Sequence, residues 1–256
     1  MSSSMFDVLS QPVEALHVTP EAQAKNEVRS LRLIELYRSV QGESSFAGVP
    51  CIFVRLAGCN LRCSWCDSEY TFTGGQPFTN DEILAQIEAL QPCRLIEFTG
   101  GEPMLQAREL LPLMQRLLDA GYQLMMETSG ERPLADVRKA VHKIVDVKCP
   151  GSGMGGTFRM ENLESLTVRD EVKFVLLDRA DYEFAREFIR EHDLAAKCGQ
   201  ILLSPAFRKD ATDARSAENM ALDPRALVEW MLADGVPARL SLQIHKFIWE
   251  PRKKGV

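Results

Sequence analysis

The chain has 256 residues, 45% of them hydrophobic and 26% charged, which fits one large globular domain with a full core. A net charge of -6 excludes bulk nucleic-acid binding, which needs a basic face to displace counterions. No export signal opens the sequence, and the most apolar region, 110–126, is broken by Arg116 and Asp119, so no membrane span is read and a reducing cytoplasmic location is expected for its seven cysteines.

Residues 1–30 carry Pro12, Pro20 and a polar run, and read as a flexible tail. Residues 31–256 are expected to form a single domain. Residues 31–37 and 51–56 read as strands, the second almost continuously apolar, as when both faces are buried. A cysteine-rich loop follows, then turn residues at 74–77. Thr79 and Glu82 form a capping box that opens a helix to about residue 90. A strand at 95–98 runs into Thr99-Gly100-Gly101-Glu102-Pro103, and a helix over 105–120 ends at Gly121. Further strands are expected at 122–127, 144–147, 171–176, 200–203 and 239–243. Further helices are expected at 134–141, 180–192 and from Asp223-Pro224 to 233. The alternation implies a parallel sheet with helices outside, and polar, Gly-rich segments at strand C-termini place a site as in an α/β barrel. No G-x-G-x-x-G follows a strand, so a dinucleotide fold has no specific support.

The chemistry concentrates in Cys59-Asn60-Leu61-Arg62-Cys63-Ser64-Trp65-Cys66-Asp67, a C-x3-C-x2-C loop. Three thiolates on one tight loop suit three irons of a 4Fe-4S cube and leave the fourth iron open to a small molecule. A structural zinc site is the competing reading, but it usually needs four ligands. Cys51, Cys93, Cys149 and Cys198 are isolated, and the four histidines form no H-x3-5-H unit.

This loop, followed by the Thr-Gly-Gly-Glu-Pro stretch, resembles the radical S-adenosylmethionine superfamily. Gln41-Gly42-Glu43, Arg55, Asp67-Ser68, Asp146 to Pro150 and Gln243-Ile244-His245-Lys246 occur with it in one order. The arrangement over roughly 31–256 is similar to the 7-carboxy-7-deazaguanine synthase family. The resemblance implies an open, partial TIM-like β/α barrel. It also implies a radical ring contraction of 6-carboxy-5,6,7,8-tetrahydropterin to 7-carboxy-7-deazaguanine with loss of ammonia, in queuosine biosynthesis. A 4Fe-4S cluster, S-adenosylmethionine and Mg2+ are the implied cofactors. A reducing flavodoxin or ferredoxin and a second copy of the chain are the implied partners.

By the same resemblance, Cys59, Cys63 and Cys66 hold the cluster, and Ser68 stands where a threonine binds Mg2+. Trp65, Gly101, Glu127, Ser129, Asp146, Val147, Lys148 and the run Ser204, Pro205, Ala206 and Phe207 would contact S-adenosylmethionine. Val40, Gln41, Gly42, Glu43, Arg55, Thr99 and His245 would contact the pterin. Ser44 departs from the glycine usual at its position. Two competing readings are a glycyl-radical-enzyme activase, which has no use for Gln41-Gly42-Glu43 or His245, and a non-catalytic metal-binding protein, which would need a fourth ligand.

Overall fold

The computed structural model of the protein describes residues 30–213, 217–251 and 253–256. The tail expected over 1–30 lies, but for Ser30, outside the described residues. Nine strands form one sheet: β1 (Ser30–Val40), β2 (Pro50–Leu56), β3 (Gln76–Thr79), β4 (Leu95–Gly100), β5 (Gln123–Thr128), β6 (His142–Asp146), β7 (Glu171–Leu176), β8 (Gln200–Pro205) and β9 (Arg239–Leu240). Their order is β3-β1-β2-β4-β5-β6-β7-β8-β9. From β2 through β4 to β9 neighbours run parallel, and β1 lies antiparallel between β2 and β3. Among the described residues no hydrogen bonds join β9 to β3, so the α/β barrel is open.

The helices are α1 (Asn80–Glu88), α2 (Ala107–Asp119), α3 (Arg179–Glu191), α4 (Leu194–Lys197), α5 (Pro224–Asp234) and α6 (His245–Ile248). Thr79 accepts from the Glu82 N–H while Glu82 accepts from the Thr79 N–H, so the capping box of α1 forms. Helix α2 buries Leu110, Leu113, Met114 and Leu117, one face at i, i+3, i+4 and i+7. That face packs with Ile83 and Ile87 of α1 against Ile96 and Phe98 of β4. Farther along the sheet, Tyr182, Ala185 and Ile189 of α3 cover Phe174 of β7 and Leu203 of β8.

The alternate residues of the strands face inward. Cys51, Phe53, Leu95, Met125 and Ile144 form a separate apolar cluster. Arg55, Thr99, Glu127 and Asp146, each two or four positions farther along β2, β4, β5 and β6, line a cleft with Lys173 of β7. The period of two therefore sorts one apolar layer and one polar layer into the barrel interior.

Three expectations change. Residues 131–141 form turns, not a helix; Val137 N–H donates to the Leu134 carbonyl at 3.0 Å and Val141 N–H to Arg138 at 2.9 Å. The reason is tertiary. Asn162, 2% exposed, accepts from the Leu134 N–H and donates to the Gly130 and Arg132 carbonyls, so the backbone finds its partners across the chain. Gln76 and Pro77, read as turn residues, join Phe78 and Thr79 in an edge strand paired with β1, where Pro77 costs no central ladder bond. The last strand stops at Leu240, and a short helix begins at His245. No described helix is long and apolar enough to cross a membrane.

Asn162→Ala would strip the Leu134 N–H and the Arg132 carbonyl of their side-chain partner, while the Gly130 carbonyl keeps the Arg159 N–H. Chemical denaturation should show a loss of stability on the order of 3 kcal/mol.

Candidate active site

The cysteine loop leaves β2 and is held mostly by main chain. Gly58 N–H donates to the Thr71 carbonyl at 2.7 Å, and Glu102 N–H donates to the Gly58 carbonyl at 2.8 Å. Ser64 N–H and Oγ donate to the carbonyls of Ser152 and Gly151, both at 2.9 Å. Gly151 N–H is itself bonded to Asp181, which is 1% exposed on α3. The chain Asp181–Gly151–Ser64 thus ties the loop to a buried helix face. Arg62 stacks on Phe72 at 4.1 Å and donates to the Cys59 carbonyl at 2.7 Å.

The glycines after β4 are explained by this joint. A Cβ on Gly100, where φ is +134°, would stand 2.2 Å from the Leu56 carbonyl oxygen, and one on Gly101 would stand 1.9 Å from that of Gly58. Two backbones touch there, and no side chain fits between them. Glu102 is 1% exposed and wholly engaged: it accepts from Met104 N–H, the Thr128 hydroxyl, and both N–H and hydroxyl of Ser129. It joins the ends of β4 and β5.

Cys59, Cys63 and Cys66 are half-buried free thiols lining one cleft of about 240 Å³. The other four cysteines do not line it. Burial pushes all three thiols up, Cys66 to about 11, while Lys148 pulls Cys59 and Cys63 back down. Metal ligation would supply the remaining stabilisation of the thiolates. The donor set fits a three-thiolate cluster with one iron free of protein sulfur.

The floor of the cleft is a charge network. Lys173 Nζ, 3% exposed as a residue, sits 2.9 Å from Glu43, in contact with Glu127, and 3.9 Å from Asp146. Asp146 also pairs with Lys148 at 2.7 Å, yet its Oδ1 is buried without a partner. Burial would raise the Glu43 carboxyl, but Lys173 and His245 outweigh it and hold it down to about 2. Burial opposes the charge on Lys173, but Glu127, Glu43 and Asp146 overcome it and keep the ammonium charged. Arg55 donates through Nε to Glu35 at 2.6 Å and through Nη2 to Tyr37 at 2.9 Å, leaving Nη1 for a ligand. Tyr70 closes on the same Glu35 oxygen at 2.8 Å.

The loop after β1 enters the cleft from the other side. Gln41 accepts from the Glu43 N–H at 2.6 Å, and Gln243 donates to Glu43 at 2.7 Å. A Cβ on Gly42 would stand 2.0 Å from His245 Nδ1, so His245 packs flat on that glycine. Burial lowers the His245 imidazole, which favours its neutral form. Ser44, where a glycine is usual, has φ +59° and so occupies the left-handed region that favours glycine. Ser68 donates to Asp67 at 3.0 Å, and Asp67 pairs with Lys246 at 2.8 Å. The chain end returns as well: Val256 lines the cleft and its carbonyl accepts from Tyr37 at 3.4 Å.

The cleft gathers Cys59, Cys63, Cys66, Ser68, Trp65, Gly101, Glu127, Ser129, Asp146, Lys148, Phe207, Val40, Gln41, Gly42, Glu43, Arg55, Thr99 and His245. Val147, Ser204, Pro205 and Ala206 are buried and do not line it. The Ser129 hydroxyl, expected to contact S-adenosylmethionine, is bonded to Glu102. Sequence reading missed Tyr37, Tyr70, Glu97, Lys173 and Val175 in the lining. Glu97 and Lys173 did leave a signal: each is a charged residue flanked on both sides by apolar ones within a strand.

Lys173→Met would remove the cation shared by Glu43 and Glu127 and leave Asp146 with Lys148 alone. Denaturant titration at pH 7 should show a loss of about 3–5 kcal/mol. The deficit should shrink as pH falls through the carboxylate range, because protonation removes the unpaired charge.

The sequence profile described as the Radical SAM superfamily matches residues 54–150. A 7-carboxy-7-deazaguanine synthase from Koribacter versatilis is 60% identical over 226 residues, 88% of this chain and 100% of the relative. One from Chlorobaculum tepidum is 40% identical, covering 88% of this chain and 97% of the relative. The crystal structure of QueE from Escherichia coli superposes with a TM-score of 0.64 at 25% identity, over 84% of this chain and 94% of that one. With the three-thiol loop, the Gly-Gly joint and the strand-end cleft in place, the chain belongs to the 7-carboxy-7-deazaguanine synthase family of radical S-adenosylmethionine enzymes.

Proposed function

We propose that the protein contracts the ring of 6-carboxy-5,6,7,8-tetrahydropterin to 7-carboxy-7-deazaguanine with loss of ammonia, a step toward queuosine. The observation that carries this reading is one cleft holding three thiols without a fourth beside a buried, unpartnered Asp146 oxygen. When bound, a 4Fe-4S cluster and S-adenosylmethionine supply the one-electron chemistry that generates an organic radical able to abstract hydrogen. The protein's part is to bind, orient and insulate.

Cys59, Cys63 and Cys66 hold the cluster. Asp146 Oδ1 accepts from an ammonium or hydroxyl of S-adenosylmethionine, and Lys148, Glu127, Trp65 and Phe207 line the same space. Gly101 keeps that wall free of side chains. The contacts assigned by resemblance to Val147, Ser204, Pro205, Ala206 and the Ser129 hydroxyl carry less of the load, since the first four stand behind the cleft wall and the hydroxyl is committed to Glu102. Arg55 offers Nη1 to the pterin carboxylate. Val40, Gln41, Gly42, Glu43, Thr99 and neutral His245 surround the ring. Ser68, with Asp67 beside it, offers hard oxygen ligands to Mg2+. Residues 31–256 act as one domain, with a flavodoxin or ferredoxin as reductant and a second copy as partner in a homodimer.

The test is an anaerobic assay of reconstituted protein with dithionite, S-adenosylmethionine and Mg2+, with and without the pterin, read by mass spectrometry. Pterin-dependent 7-carboxy-7-deazaguanine that disappears in Cys63→Ala is the expected result. Slow 5′-deoxyadenosine without the deazaguanine would keep the radical chemistry and remove the substrate. In Ser68→Ala, stimulation of turnover by Mg2+ should fall several-fold while cluster content, read by iron analysis, stays unchanged.

A further inference from the structure

Glu97 is a buried carboxyl of the cleft to which the roles above give no work. It lines the cleft from β4, two residues below Thr99 on the inward row, and is 2% exposed. Its register neighbours are apolar, Phe53 on β2 and Met125 on β5, and Cys51, Leu95 and Ile144 complete that layer. Among the described residues no cation stands within ion-pairing distance of it. Arg55 is paired with Glu35, Lys148 with Asp146, and Lys173 with Glu43, Glu127 and Asp146. Gln41 Nε2 donates to Glu97 Oε2, and Oε1 remains.

We propose that Glu97 is a specificity residue which, as a carboxylic acid, pairs with a lactam edge of the substrate, a ring N–H beside a ring C=O. Oε1–H donates to the ring carbonyl, and Oε2 accepts from the ring N–H alongside Gln41. The proposal rests on the ring-contraction reading of the cleft, because the pterin carries such an edge.

The protonation follows from the surroundings. Burial pushes the Glu97 carboxyl well above the usual carboxylate range, and Glu127 and Glu43 push it the same way. Arg55 and Lys173 pull it back only from a distance. Tyr37 on β1 and Cys51 on β2 also face it, and burial raises both, so each is neutral. A neutral acid presents one donor and one acceptor side by side, which is the complement of a lactam. An ionised carboxylate would present two acceptors, and the ring carbonyl would then face an anion.

The test compares wild type, Glu97→Gln and Glu97→Leu, each with the cluster reconstituted. Calorimetry under anaerobic conditions would measure binding of pterin-6-carboxylate and of its N3-methyl derivative, in which the ring N–H is blocked. Glu97→Gln keeps one donor and one acceptor without charge, so its affinity for pterin-6-carboxylate should stay within about threefold of wild type. Glu97→Leu should weaken that binding by about tenfold or more, as should N3-methylation with the wild-type protein. Combining Glu97→Leu with the methylated ligand should cost little more than either alone, a non-additivity that a merely structural role would not produce.

Equal binding of the two ligands by wild type would overturn the proposal even if Glu97→Leu failed to fold. A loss in Glu97→Gln as large as in Glu97→Leu would overturn the neutral pairing and make the anion the reader. If wild type made the deazaguanine but the Leu variant bound normally, Glu97 would be structural while the ring-contraction reading stood. If wild type bound neither ligand and made no deazaguanine, both readings would fall together.

Discussion

The cleft depends on the placement of one ammonium group. Lys173 rises from β7 into a space where Glu43, Glu127 and Asp146 converge from the loop after β1, from β5 and from β6. Each of those carboxylates would resist burial, and so would the lysine, since desolvation of an ion costs several kcal/mol. Together they satisfy one another and draw three separate elements to one point. The network leaves an imbalance by design of its geometry: Glu97, one layer deeper, is within the field of the same cation but outside its reach. The carboxyls of one cleft are therefore driven in opposite directions, Glu43 down by Lys173 and Glu97 up by burial.

Around this polar floor the cysteine loop is fixed by backbone contacts. The Leu56 and Gly58 carbonyls press on Gly100 and Gly101, and Ser64 docks on Gly151 and Ser152. Main-chain anchoring holds the loop without side-chain partners on the three thiols, which meet backbone N–H groups alone. Glu102 serves the same end from below, consuming its oxygens to weld two strand ends rather than to meet a ligand.

The sheet topology explains why residues so distant in sequence meet. In a parallel array every strand ends on the same side, so residues at the ends of β2, β4, β5, β6 and β7 collect above one apolar layer. The antiparallel β1 brings its following loop in from the opposite end, and Gln41, Glu43 and His245 close the interior there. The cleft is polar in its working layer and dry beneath it because the inward positions of each strand change from apolar to polar one pleat along.

Much of this was legible in the residues. The alternation of strands and helices, the capping box at Thr79, the C-x3-C-x2-C loop and most of the strand-end motifs are local patterns with local causes. They pointed to the fold class and, through the family they resemble, to eighteen of the residues that line the cleft. The helix read over 134–141 did not form, because Asn162, some 30 positions away, supplied the backbone partners a helix would have used internally. The glycines of the Gly-Gly turn looked like a ligand wall, and only the folded chain revealed two backbones in contact. Lys173 and Glu97 were visible as charged residues between apolar neighbours, but their states were not. Whether a buried carboxyl keeps its proton depends on which cation the fold brings within reach, and that distance exists only in three dimensions.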